Sequence, residues 1–326
     1  MTPAIEVVAL TKRYGRRTAL QGIDLTVEAG RVYGLIGPNG AGKTTTMRVL
    51  LDIIRPTSGT VRVLGDDPRA AGPRLRRRVG YLPGELALQG RVSVHSLLRY
   101  YAELNGGTPA GRIEHLADRL GLELGRPVRA LSKGNKQKVG LVQAFVHSPD
   151  LLVLDEPTSG LDPLIQQQLL AMVREARDAG QTVLLSSHVI SEIEQVADDV
   201  AILRDGRLVD VSTVARLRAA ARRSVRVVVR SRDRDSLLTG LAGVPQLETM
   251  STVEINDTTV LTAQLGEGIA AFVAAVAACN PLDLIVEEPD LQSTVLGYYA
   301  NGTATATATA DNADGGSDNT ESEVTR

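Results

Sequence analysis

Nine residues, Gly37-Pro38-Asn39-Gly40-Ala41-Gly42-Lys43-Thr44-Thr45, constrain this chain more than any other stretch. They match G-x-x-x-x-G-K-[ST], with a short apolar run at Val32–Ile36 before them and helix-like apolar spacing at Thr45–Ile54 after them. A strand, a tight glycine-rich turn and a helix follow from that order. The glycines let the backbone curl, so that successive N–H groups and the helix N-terminus face inward, an arrangement that cradles phosphate oxygens. Lys43 is then placed to reach the β- and γ-phosphates, and the Thr44 hydroxyl to ligate Mg2+. A glycine-rich turn with a chance Lys-Thr requires the spacing and both flanks to coincide by accident.

A length of 326 residues suggests two domains with a tail. Hydrophobic content of 43% and charged content of 23% are near globular averages, which argues against wholesale disorder and against a membrane protein. The longest strongly apolar stretch, Gly268–Cys279, falls short of the roughly 20 residues that cross a bilayer. Glu6 interrupts the first apolar run and no basic segment precedes it, so the N-terminus does not read as a secretory signal. The single cysteine, Cys279, excludes an intrachain disulfide, suits a reducing cytosol and reads as core filler. A net charge of −2 gives no overall pull toward nucleic acid. The runs Arg74, Arg76, Arg77, Arg78 and Arg216, Arg218, Arg222, Arg223 lack interleaved aromatics and read as solvated faces or anion contacts.

Ile5–Leu10 and Ala19–Val27 read as strands separated by a polar turn over Thr11–Arg17. Tyr14 in that turn is a surface residue in isolation; beside a nucleotide site it offers an aromatic face to stack on adenine. Strands are expected at Gly59–Leu64 and Val79–Leu82, with the end of a short helix at Arg74–Arg78. From about 85 to 147 the pattern turns helical, at Val94–Leu104, Arg112–Leu120 and Lys133–His147, so a helical insert interrupts the α/β order. Ser132 opens the last of these helices as an N-cap. Leu151–Leu154 is a continuous apolar run ending in Asp155-Glu156, as expected of a parallel strand covered on both faces. Ligands gather at the carboxyl ends of such strands, which makes Asp155 a candidate Mg2+ ligand and Glu156 a candidate to polarise the attacking water. Asp162 reads as an N-cap with Pro163 at the first helical position. His188 ends the buried run Thr182–Ser187, where a side chain can contact a γ-phosphate, whereas His95, His115 and His147 fall in helical segments.

Taken in order, the phosphate loop, Leu131–Gln137, Leu151–Glu156, Ser159–Asp162 and His188 resemble the nucleotide-binding subunit of an ABC transporter over residues 1 to about 210. The resemblance implies an α/β P-loop NTPase fold with a helical insert. It implies a head-to-tail dimer with a second copy or a homologous ATPase subunit, in which two ATP molecules are closed by Ser132 and Gly134 of the opposite subunit. It also implies that Glu156 is the general base or positions the water, that His188 senses the γ-phosphate, and that Asp162 couples the two sites. Two departures stand out. Pro83-Gly84-Glu85 replaces the family's usual Gln, which suggests that Glu85 takes over its coupling role beside Gly84; and Lys133 and Asn135 replace the usual Gly and Gln around Ser132 and Gly134.

After the Asp205-Gly206 turn, residues 214–300 read as a small α+β accessory domain: strands at Ser224–Arg230, Thr252–Ile255, Thr259–Ala263 and Leu284–Val286, helices at Gly268–Cys279 and Asp290–Tyr299. Glu288-Pro289-Asp290-Leu291 with the following helix is similar to the close of ATPase subunits of ABC-2 type exporters, including drug and antibiotic efflux systems. Residues 301–326, alternating Thr/Ala and then acidic, read as a disordered tail. The expected protein is therefore an ATP- and Mg2+-dependent motor at the cytoplasmic face of the membrane, driving export through a separately encoded multi-span subunit, with no nucleic-acid partner. A soluble ABC-type ATPase acting on ribosomes or DNA and an importer motor are the alternatives; a single ATPase unit without a long coiled-coil insertion or basic balance speaks against the first.

Overall fold

The structure is a computed structural model and describes residues 2–288. The expected helix at Asp290–Tyr299 and the tail at 301–326 lie outside those residues. The chain divides into two compact units, the first ending at Ala220 and the second beginning at Ala221.

The first unit opens on strands β1 (Ile5–Tyr14) and β2 (Arg17–Val27), then β3 (Val32–Ile36), helix α1 (Lys43–Leu50), β4 (Ser58–Val63), α2 (Pro68–Ala71), α3 (Pro73–Arg76) and β5 (Val79–Leu82). The helical stretch follows, α4 (Val94–Leu104), α5 (Arg112–Arg119) and α6 (Lys133–Phe145), and then β6 (Leu151–Asp155), α7 (Pro163–Asp178), β7 (Thr182–Ser187), α8 (Ile190–Val196), β8 (Asp199–Arg204), β9 (Arg207–Thr213) and α9 (Val214–Ala220). Helix α9 belongs to this unit instead of opening the next one. Val214 N donates to Asp198 O, and Arg218 Nε meets Glu194 Oε1 at 2.6 Å.

Six strands form the central sheet in the order β5-β6-β7-β3-β8-β9, parallel except for the antiparallel edge β9. Every residue of β3, β6 and β7 is buried, which explains their largely apolar character: a central parallel strand has no solvent face. Because β6, β7 and β3 are neighbours, the phosphate loop, Asp155-Glu156 and His188 leave the sheet side by side at its carboxyl edge.

A second, antiparallel sheet has the order β2-β1-β4. Thr11–Arg17 is not a turn. The β1–β2 ladder continues to the pair Tyr14↔Arg17, and only Gly15-Arg16 remain outside it. This end of the hairpin is exposed or half-buried on both faces, so the period-two signal vanishes while backbone pairing persists. The basic runs are paired where they meet acids, Arg74 with Asp66 at 3.0 Å and Arg78 with Asp150 at 2.6 Å.

The second unit comprises β10 (Arg223–Arg230), α10 (Arg234–Leu241), β11 (Leu247–Ile255), β12 (Thr258–Leu265), α11 (Ile269–Ala277) and β13 (Asp283–Val286). Its sheet order, β11-β12-β10-β13 with antiparallel neighbours, is the split βαβ arrangement. Val225, Val227, Val229, Leu261 and Leu265 pack with Leu237, Phe272 and Val276 into its core. The hairpin turn falls at Asn256-Asp257, with Asn256 at φ 54°. Helix α10 carries only two buried residues, Leu237 and Leu241, and a glycine, which is why its sequence shows no helical period.

Candidate nucleotide site

The loop after β3 is shaped by close backbone approaches. A Cβ on Gly37 would lie 2.3 Å from Leu203 O, and one on Gly42 would lie 2.7 Å from Leu20 Cδ2 with φ at +115°. Only glycine satisfies both positions. Gly42 caps α1 without a side chain, so the first amides of the helix, at Lys43, Thr44 and Thr45, are left to an anion. Pro38, Asn39, Gly40, Ala41 and these three residues line a cleft of about 430 Å3 together with Tyr14, Arg17, Ala19 and Glu156. The β1–β2 hairpin delivers Tyr14 and Arg17 from the second sheet. Tyr14 is 48% exposed, with Lys12 Nζ 4.9 Å from its ring centroid. Arg17, at the end of a segment whose composition reads as a polar turn, adds a cation.

Asp155 ends β6 fully buried. Its Oδ1 accepts a hydrogen bond from Ser186 Oγ at 2.7 Å, while Oδ2 is buried with no hydrogen-bond partner among the described residues. An ionised oxygen left bare in the interior is costly, and a cation satisfies it, so the site fits Mg2+. Gly84 approaches the same oxygen: a Cβ there would sit 3.2 Å from Asp155 Oδ2. Glu85 beside it is exposed.

Glu156 takes the left-handed backbone conformation, φ 49°, uncommon for a residue with a side chain. Its amide donates to Ser186 Oγ at 2.9 Å. Its carboxylate lies between two bases, Oε1 3.2 Å from Lys43 Nζ and Oε2 2.6 Å from His188 Nδ1. A carboxylate only accepts, so Nδ1 carries the proton of that hydrogen bond. Lys43 also donates to Gly37 O at 2.5 Å.

Ser132 and Gly134 do not line this cleft. Ser132 caps α6 by accepting from Asn135 N at 3.3 Å, and Gly134 is pressed against the backbone of Gly160, where a Cβ would come within 2.7 Å of the carbonyl oxygen. Gln137 on the same helix is buried and donates to Pro157 O at 3.1 Å, tying α6 to the loop after Glu156. Asp162 caps α7, accepting from Ile165 N at 3.1 Å, ahead of Pro163. Buried Glu192 accepts from Thr158 Oγ1 and Ser187 Oγ, each at 2.9 Å, and so joins the Asp162 loop to the His188 loop. Nothing local in the sequence marks Arg17, Gln137 or Glu192 for the site. A hydroxyl closing an apolar strand was the one local hint at Ser186.

A phosphate loop, a strand-end carboxylate pair and a helical insert on a parallel sheet define a P-loop ATPase. The sequence pattern described as "ABC transporter" matches residues 20–159. The bacitracin transport ATP-binding protein BcrA of Enterococcus faecalis is 36% identical over 220 residues, 67% of this chain and 71% of that protein. The daunorubicin/doxorubicin resistance ATP-binding protein DrrA of Streptomyces peucetius is 38% identical over 226 residues, covering 67% and 68%. A solved ATP binding subunit of an ABC transporter superposes with a TM-score of 0.61 at 31% identity, over 67% of this chain and 93% of that one. The chain belongs to the ABC transporter family as an ATP-binding, ATP-hydrolysing subunit, and it resembles the ATPase subunits of ABC-2 type exporters. No helix among the described residues is long and apolar enough to cross a membrane.

Proposed function

We propose that this chain is the motor of a drug or antibiotic exporter, bound peripherally at the cytoplasmic face of the membrane to a separately encoded multi-span subunit. The relatives named for bacitracin transport and for daunorubicin/doxorubicin resistance support the export reading. The observation that carries the mechanism is the meeting of Lys43 and Glu156, which line the cleft, with His188 beside Glu156.

In this reading adenine stacks on Tyr14, and the phosphates rest on the amides of residues 38–45, with Lys43 and Arg17 as countercharges. Thr44 and Asp155 would hold Mg2+, which would supply neutralisation of phosphate charge when bound. The triphosphate competes with Glu156 for Lys43, and the released carboxylate is free to take a proton from water. That water attacks the γ-phosphorus, the bond to the β-phosphate oxygen breaks, and ADP and phosphate leave. His188 orients Glu156 and reads the γ-phosphate. Ser132 and Gly134, which do not line the cleft of their own chain, face the γ-phosphate of a partner in a head-to-tail dimer. Asp162 carries the state of one site to the other, and Gly84-Glu85 carries it toward the membrane subunit.

The test is affinity capture of the tagged chain from detergent-solubilised membranes of its host, followed by ATP turnover of the captured complex. A stoichiometric multi-span protein that changes the turnover is the expected result. Capture of ribosomal or DNA-associated proteins alone would overturn the export reading.

A further inference from the structure

Ser186 holds an unusual station. It is fully buried near the end of β7, in register with Asp155 of β6, and its one hydroxyl serves both members of the carboxylate pair. Oγ donates to Asp155 Oδ1 at 2.7 Å and accepts from Glu156 N at 2.9 Å. A hydroxyl has one proton to give and two lone pairs, so a single group makes both bonds without conflict.

Each bond has a directional consequence. The first fixes which oxygen of Asp155 is spent inside the protein and leaves Oδ2, buried beside Gly84 with no hydrogen-bond partner among the described residues, as the one available to a cation. The second holds the amide of Glu156 while its backbone turns through φ 49°, the turn that sends the carboxylate to Lys43 and His188. Without the hydroxyl, Asp155 gains a second free oxygen and can rotate, and the Glu156 amide loses its partner in a conformation that side-chain-bearing residues rarely adopt.

We propose that Ser186 is the positioning residue that aims Asp155 at the metal and Glu156 at the water from one oxygen atom. The inference rests on the roles of Asp155 and Glu156 proposed above. Groups that orient a metal ligand from behind typically change metal affinity or activity by about 10- to 100-fold when lost. Packing alone makes no such demand, since alanine fills nearly the same volume as serine.

The experiment titrates Mn2+ into the full chain at saturating ADP, following free Mn2+ by electron paramagnetic resonance, and measures ATP turnover in parallel. Wild type, Ser186→Ala, Ser186→Thr and Asp155→Asn are compared, with thermal midpoints confirming that each is folded. Ser186→Ala is expected to weaken Mn2+ binding about 10-fold and to lower kcat at saturating Mn2+ by at least as much, while ADP binding without metal is unchanged. Ser186→Thr keeps the oxygen and is expected to recover most of both. If Asp155→Asn weakens Mn2+ binding and Ser186→Ala does not, the Ser186 inference is overturned alone. Equal losses in the Ala and Thr variants would also overturn it, since the loss would then not follow the hydroxyl. A wild-type titration for Asp155→Asn would remove the metal role of Asp155 and the inference with it.

Discussion

Glu156 and Lys43 form an ion pair at 3.2 Å inside the cleft, with the lysine side chain only 6% exposed. The proposed base is thus tethered by the residue that the phosphate loop offers to substrate. Replacing Glu156 by Gln keeps the shape and removes the proton acceptor. Hydrolysis is expected to fall by about 10²- to 10⁴-fold while ATP binding persists. Single-turnover phosphate release and retention of radiolabelled ATP measure the two separately, and turnover near wild type would end the assignment.

Tyr14 stands half-exposed at the mouth of the cleft. An aromatic contact contributes about 0.5–1.5 kcal/mol, so Tyr14→Ala is expected to raise KM for ATP roughly 2- to 10-fold with kcat little changed. Tyr14→Phe keeps the face and is expected to behave as wild type. A fall in kcat without a change in KM would place Tyr14 in another role.

Glu85 is exposed next to the glycine that approaches Asp155. If it relays the state of the site, Glu85→Ala leaves ATP affinity intact and abolishes the change in turnover produced by the membrane subunit. Steady-state ATPase assays with and without that subunit decide the matter.

His147 follows α6 with both ring nitrogens buried, facing the backbone at Val79 and Gln143 without a well-formed hydrogen bond to either. Burial, aided by the charge of Arg112, pushes its pKa below the ordinary 6.5. Below pH 6.5 the unfolded chain therefore takes up the proton more readily than the folded one. The contribution of neutral His147 is present above that pH and is lost as pH falls through 6.5 toward the folded value. Thermal midpoints recorded from pH 8 to pH 5 should fall on the acid side, and His147→Leu should flatten that fall. An identical acid profile in the variant would clear His147 of responsibility.

Much of this site is local in the chain. Gly37, Gly40 and Gly42 with Lys43 and Thr44, the Leu151–Glu156 run, and the Asp162-Pro163 cap each state their own conformation, because a tight turn, a buried parallel strand and a helix start have short-range chemical requirements. Their sequential order was enough to indicate an ATPase and its family. Pairing and register are another matter. That Ser186 faces Asp155, that Gln137 reaches Pro157, that Glu192 gathers Thr158 and Ser187, and that the hairpin brings Arg17 to the phosphate loop depend on which strands lie side by side. Polar residues such as these look alike in the sequence whether they face solvent or a partner. The choice is made by the burial and backbone pairing of segments far apart in the chain, so only the tertiary structure decided it.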